Sequence, residues 1–567
     1  MLLGIDVGGT HTDAVALRVE GNKATLVAAA KVKTNKDDLL SSVNGALGLL
    51  LREVDPASVR QLGLSTTLST NAIVENRTED VGVLVMPGPG LDPQNYRPCR
   101  DFHVLGGSMD HRGMEAERLD LAQARAAVDQ CREHGVRTFA LVGKFSVRNP
   151  LHESQLRHML CGGEDPGCER ADFITLGHAL GGALGFPRRV ATAYFNCAVW
   201  RLYGAFATAV EESLIDHGLG CRVNILKADG GTMPLPHSRS MPVQSIFSGP
   251  AASVMGIVAL TDIFHDSVLL DIGGTTTDIA IFAAGSPLVE PEGIDIGSHP
   301  TLVRALKVKS IGVGGDSAIS VIGDTVRVGP RRLGPAMAEG GSHPTLTDAL
   351  NLLGHSQVGD VAASEAGLAA YAESHTFTAR QLAEQAVARA AATIREETRA
   401  LLAEINDKPV YTIHELLEER AIVPRKVYVV GGPAQAMKMP LFAEFRLSTE
   451  VPENHAVANA VGAALTRTTT DLELFADTQR HTLFIPALGH RENIPASYTL
   501  EDAKRDAMNQ LLSHLMDLRL ASDASRAVIT HASAFNMVDG MHTVGRNIRV
   551  TCQIKPGVAA TLFGGRP

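Results

Sequence analysis

Two stretches of this 567-residue chain repeat one chemical design. Asp6-Val-Gly-Gly-Thr-His-Thr-Asp13 and Asp271-Ile-Gly-Gly-Thr-Thr-Thr-Asp278 agree at six of eight positions, and an apolar strand follows each. A turn of this kind suits a phosphate group. Gly8, Gly9, Gly273 and Gly274 let backbone N–H groups approach an anion closely, while Thr10, Thr12, Thr275 and Thr276 add hydroxyl donors. The aspartates supply hard oxygen: Asp6 and Asp271 are candidate holders of hydrated Mg²⁺, and Asp6, Asp13, Asp271 and Asp278 are the candidate catalytic carboxyls. One such loop alone would read as an ordinary turn. Two in register, repeating polar residues as well as glycines, mark a functional duplication.

Other segments carry weaker signals. Lys426–Val430 reads as a buried strand opening on Gly431-Gly432, suited to close approach by an adenosine. Ser310–Ser317 places Gly314 and Gly315 where they could form a further anion nest, with Asp316 as a third metal ligand, although a bulged turn explains the pattern equally well. Ser65–Asn71 gathers hydroxyl and amide groups at the end of a strand, where open α/β sheets place ligands, and offers Thr67, Thr70 and Asn71 as substrate contacts. Ser245–Ser253 reads as a helix start, with Ser248 and Gly249 on its anion-facing end. His103 and Asp110-His-Arg-Gly113 are candidate substrate or metal contacts that read better as part of a surface turn.

The elements that must position these loops are strand pairs and crossover helices. Leu2–Val7, Ala14–Val19 and Ala24–Val32 form an antiparallel meander, and helical and extended patterns then alternate, which implies an α/β sheet. A long helix is expected from about Val190 to Asp216, another over Phe377–Ile405, and a small-residue helix over Ala456–Thr466. Gly329–Tyr371, rich in Gly, Pro and Ala, is expected to be a long loop or small insertion. The expected division is 1–189 and 190–469 for two halves, one phosphate loop each, with 470–567 as a small α+β module.

Length requires more than one core, since single cores stop growing at roughly 250–300 residues. A formal net charge of −10 argues against broad nucleic-acid binding, which needs a basic face. The seven cysteines, at 99, 131, 161, 168, 197, 221 and 552, contain no C-x-x-C pair and no His/Cys cluster at zinc spacing. They read as reduced thiols. With no leader pattern at the N-terminus and no apolar stretch of about 18 residues, the expectation is a cytoplasmic protein with no membrane span.

The ordered series DVGGTHTD, STTLSTNAIVEN, KADGG, SGPAASVMG, DIGGTTTDIA, SIGVGGDS, GGSHPTLTDA and VVGGP resembles the ATP-binding A-type subunit of the hydantoinase and 5-oxoprolinase family, from Met1 to about Thr466. The resemblance implies a duplicated actin-like ATPase (ribonuclease H-like) fold, ATP and Mg²⁺, and ATP-driven opening of cyclic amides such as hydantoins or 5-oxoproline. It also implies that Asp6–Asp13 and Asp271–Asp278 are the phosphate loops and Gly431-Gly432 the adenosine contact. The chain departs from the pattern at Asp316, where many members have a third glycine, and in the segment around Asp110–Gly113. A B-type subunit is the expected partner unless this branch works alone, and a homo- or hetero-oligomer is expected. An ATP-dependent carboxylase, a small-molecule kinase and a nucleotide-switched interaction protein remain open on the same fold.

Overall fold

The computed structural model describes residues 1–567 apart from 36, 163–167, 183, 291, 408–420, 519–525 and 564–567. Two sheets are built to one plan. In the first, strand Leu2–Val7 pairs antiparallel with His11–Glu20 and parallel with Gln61–Thr66, and the sheet extends to Lys23–Lys33 on one side and to Arg222–Leu226 and Thr232–Pro234 on the other. In the second, Ser267–Ile272 pairs antiparallel with Thr277–Ala283 and parallel with Lys426–Val430, with Ser448–Glu450 beyond. The central strands are buried on both faces, which is why they read as continuous apolar runs rather than alternating ones.

A third, parallel sheet runs in the order Phe173–Leu176, Thr138–Gly143, Val81–Met86, Phe102–Val104. The helix Phe186–Asp216 ties it to the first. Its N-terminal part packs Val190, Ala193 and Cys197 against the third sheet, and its C-terminal part packs Tyr203, Ala207 and Val210 under the first. The expected border at 189/190 therefore falls inside this helix, and strand Arg222–Leu226, beyond that border, completes the first sheet through its parallel pairing with Gln61–Thr66. A five-stranded antiparallel sheet, Asp471–Asp477 to His542–Ile554, packs on helix Leu500–Asp517 with its own core of Leu474, Leu511 and Val550.

Where the two duplicated sheets meet, helices Ser248–Leu260 and Ala458–Leu465 cross in close contact. A Cβ on Gly462 would lie 2.1 Å from the Ala252 carbonyl oxygen, and one on Gly256 would lie 2.1 Å from that of Ala458, so only glycine permits this approach. The small-residue composition of both helices has this cause. The segment Gly329–Tyr371 is more ordered than its composition suggests: it holds helices Leu346–Leu352 and Val361–Glu373. A capping box at Thr345 and Asp348 starts the first, and Asp360 caps the second. These caps overrule the glycine and proline content. No helix among the described residues is long and apolar enough to cross a membrane.

Candidate functional site

Both repeated loops are tight turns at the ends of equivalent hairpins. Asp6 faces Asp13 across the first and Asp271 faces Asp278 across the second, and the Gly8 N–H donates to the His11 carbonyl at 3.1 Å as the Gly273 N–H does to that of Thr276 at 2.9 Å. The loops confront each other. A Cβ on Gly274 would lie 3.4 Å from Thr10 Oγ1 and 3.2 Å from Asp316 Oδ2, which brings the two turns and Asp316 to one place.

One side chain joins the two halves directly. Asn459 Nδ2 donates to Asp6 Oδ2 and to Asp271 Oδ2, each at 3.3 Å, and Ser253 Oγ donates to Asp271 Oδ2 at 2.5 Å. Neither residue was singled out by sequence reasoning. Ser253 sits one turn into the quoted SGPAAS helix, and Asn459 is the lone amide in an otherwise apolar small-residue helix, which was the available signal. Gly431, at φ +94°, lies against the same carboxylate: a Cβ there would be 2.6 Å from Asp271 Oδ1. Around Gly432 there is open space.

Charge is concentrated and buried here. Burial raises the Asp6 carboxyl to about 7, with Asp13 and Asp271 adding repulsion against the pull of Ser65 and Asn459. Asp278 is also raised to about 7, by burial and the Asp271 charge, and burial raises Asp271 as well. Asp13 is balanced by Lys31 Nζ at 2.9 Å. Burial and Lys31 lower the pKa of His11 and so favour its neutral form. Asp6 Oδ1 is buried with no hydrogen-bond partner among the described residues. An orphaned carboxylate oxygen beside a second buried carboxylate, under open glycine turns, fits a divalent cation with a polyphosphate.

The remaining candidates fall into three groups. Thr12 is fully buried and bonds Thr34 Oγ1 at 3.0 Å, while its equivalent Thr277 donates to the Val313 carbonyl at 2.6 Å, so both hydroxyls brace the hairpins from behind. The segment around Gly314 and Gly315 also braces. The N–H groups of Gly315 and Asp316 donate to the carbonyls of Gly273 and Gly274 at 2.9 and 2.6 Å, and the Gly314 N–H is taken by Ser317 Oγ, so these amides prop the second loop rather than form a nest. Asp316 is paired with Arg332 at 2.7 Å, and burial raises it despite that guanidinium.

The substrate-side candidates come together beside the first loop. Thr67 Oγ1 lies 3.4 Å from the Val7 carbonyl, Asn71 Nδ2 donates to Thr67 Oγ1 at 3.2 Å, and Thr70 Oγ1 accepts from the Phe247 N–H at 3.0 Å. Ser248 is fully buried, its hydroxyl bonded to the Thr66 carbonyl at 3.0 Å, and Gly249 packs near the Thr67 methyl. Asp110–Gly113 is a surface turn, closed by the Gly113 N–H on the Asp110 carbonyl at 2.9 Å, and it lies apart from these groups with Arg480 bonded to the Arg112 carbonyl.

A family model described as hydantoinase/oxoprolinase matches residues 189–472, half of the chain, and one described as the hydantoinase/oxoprolinase N-terminal region matches residues 2–161. The caprolactamase subunit alpha of Pseudomonas jessenii is 28% identical over 366 residues, which cover 59% of this chain and 50% of that protein. The chain thus spans about half the length of this curated relative. Among solved structures, a nucleotide-free acetone carboxylase superposes with a TM-score of 0.70 at 15% identity, covering 98% of this chain and 87% of its own. The ATP-dependent caprolactamase from Pseudomonas jessenii superposes with a TM-score of 0.68 at 20% identity, covering 97% and 87%. At these identities the likeness speaks for the fold, and with the duplicated sheets it makes that fold the actin-like ATPase type. Both family models match in chain order, one on each duplicated hairpin, and the chain belongs to the hydantoinase/oxoprolinase family.

Proposed function

We propose that the protein is an ATP-dependent amidohydrolase that opens a five-membered cyclic amide of the hydantoin or 5-oxoproline type by phosphoryl activation of the ring carbonyl. The observation that carries this reading is the pair of facing loops whose buried carboxylates, Asp6 and Asp271, share Asn459. Family membership and a relative named caprolactamase support the cyclic-amide class. That relative's designation as a subunit supports a B-type partner for this chain too.

Mg²⁺, when bound, supplies positive charge against phosphate oxygens, and Asp6 and Asp271 would hold it. The turns at Gly8-Gly9 and Gly273-Gly274, with Thr10, Thr275 and Thr276, cradle the phosphates and hold donors against charge that develops on the transferring group. Gly431 and Gly432 admit the adenosine. Thr67, Thr70 and Asn71 orient the ring beside the first loop. A lactam amide is a poor electrophile. Transfer of the γ-phosphoryl group to its carbonyl oxygen activates the carbon, water adds there, the ring C–N bond breaks with the nitrogen leaving as the protonated amine, and a second water attacks the resulting acyl phosphate at carbon to release inorganic phosphate. Asp278, whose carboxyl burial and the Asp271 charge raise to about 7, is the candidate to take a proton from the attacking water.

Heavy oxygen placed in the lactam carbonyl tests this route. The label is expected to leave with inorganic phosphate. Recovery of all label in the ring-opened carboxylate, with ATP still consumed in step, would overturn it. A stable phosphoester or a strict requirement for bicarbonate would move the assignment to a kinase or a carboxylase.

A further inference from the structure

A second polar cluster lies in the third sheet, outside the phosphate site. Strand Phe102–Val104 is the edge of that sheet, joined in parallel to Val81–Met86, and helix Leu121–Glu133 covers it. Asp101, His103 and Cys131 each present one donor atom, and the three atoms lie within 4.8 Å of one another. His103 Nε2 and Cys131 Sγ are 3.3 Å apart. Cys131 is fully buried and Asp101 only 5% exposed, while His103 is half-buried at the sheet edge. The carboxylate is fixed from outside: Oδ1 accepts from His134 Nδ1 at 2.5 Å, and Oδ2 accepts from Arg100 Nε and Nη2 at 3.0 and 2.9 Å.

The bland reading makes Cys131 a core residue and Asp101 a surface clamp. It accounts for each group separately but not for an imidazole nitrogen, a thiol and a nearly buried carboxylate converging on one point. Tetrahedral zinc bonded to sulfur, nitrogen and oxygen keeps neighbouring donors about 3.3–3.6 Å apart, so this cluster closes on such an ion with movements of about 1 Å.

We propose that Asp101, His103 and Cys131 form a binding site for a zinc-class divalent cation. A thiolate with an imidazole selects a borderline-soft ion over magnesium. As the metal–sulfur bond forms, the thiol proton leaves to solvent. His134 and Arg100 orient Asp101 from behind, and three protein donors leave a fourth position for water. The bound ion staples an edge strand to the C-terminal end of its covering helix. The ligands are 28 residues apart between His103 and Cys131, which is why no zinc spacing is visible along the chain.

The test strips the full-length protein with a chelator and dialyses it against Zn²⁺ or Co²⁺ in excess Mg²⁺, so that the acidic phosphate loops do not compete. Wild type and Asp271→Asn are expected to retain one zinc per chain, and the cobalt form to show a thiolate-to-metal charge-transfer band. Cys131→Ser should lose that band, Cys131→Ser and His103→Gln should each bind at least about tenfold more weakly, and His134→Ala should weaken binding by about 10- to 100-fold. His103→Gln, at the half-buried edge, keeps the test valid if the buried serine variant does not fold. Retention of no more zinc by wild type than by His103→Gln, or a cobalt band that persists without Cys131, would overturn the site.

Discussion

The two repeated loops share a turn and differ in their mounting. The second is held by neighbours in its own half: the Gly315 and Asp316 N–H groups bond its carbonyls, Ser253 holds Asp271 at 2.5 Å, and Thr277 is tied to Val313. The first rests on the end of the adjoining strand Lys23–Lys33, with the Thr34 N–H on the Thr10 carbonyl at 2.9 Å, the Thr12–Thr34 contact and the Lys31–Asp13 pair. Duplication has preserved what faces the site, while the backing has diverged. The second loop is braced by more backbone bonds from outside its hairpin than the first. Asn459, bonded to both aspartates, is the side chain that links the two loops.

Removing a carboxylate charge is the strongest way to break this comparison. Asp6→Asn and Asp271→Asn are each expected to slow ATP turnover by about 10² or more, with folds intact by circular dichroism. Near-normal turnover in both folded variants would remove the two-loop assignment. A smaller effect separates mounting from contact. Alanine at Gly314 would place its Cβ 2.7 Å from the Gly274 carbonyl oxygen, so Gly314→Ala should destabilise the fold by about 1–3 kcal/mol. Gly9→Ala meets nothing within 4 Å and should leave stability within about 0.5 kcal/mol while raising the KM for ATP. Equal melting temperatures for the two variants would contradict the difference in bracing.

Titration gives the next measurement. Asp6 and Asp278 titrate near 7 in the folded chain, against about 3.9 when unfolded. Between those values the folded state binds more protons, so its stability must fall as pH rises. The metal-free protein should lose melting temperature from about pH 4 to about pH 7, and Asp6→Asn should flatten part of that slope. A profile that rises through this window would show that these carboxyls are ionised without Mg²⁺.

How much of this was legible in the sequence follows the physics of each signal. The loops were legible because glycine, threonine and aspartate recur at fixed spacing, and the strands around them because burial on both faces leaves an unbroken apolar run. Asn459 was hidden because one amide 188 residues from Asp271 has no local partner to announce it. The Gly314–Asp316 amides looked available because a sequence does not show which carbonyl an N–H will meet. Helices Leu346–Leu352 and Val361–Glu373 were masked by a composition that favours turns, and only their caps argued otherwise. The strand Asp471–Asp477 depends on pairing with residues 547–553, a long-range contact with no local signature.

The smallest expected effect is also the most direct reading of the asymmetry. Amide hydrogen exchange reports local opening, and bound ligand slows it most where the free protein opens most. In the second loop, the Gly273 and Gly274 carbonyls are already held by the N–H groups of Gly315 and Asp316, which restrains the turn, so nucleotide has little opening left to suppress. The first loop has one backbone tether beyond its hairpin, and its Gly9 borders open space. Saturating Mg-ATP should therefore slow exchange at Gly8-Gly9 more than at Gly273-Gly274, and Asn459→Ala, which uncouples the two aspartates, should widen that gap by loosening the free first loop further. Equal protection at both turns would mean that the bracing segment does not stiffen its loop. No protection at either would place the nucleotide elsewhere, and the functional reading built on these loops would fall with it.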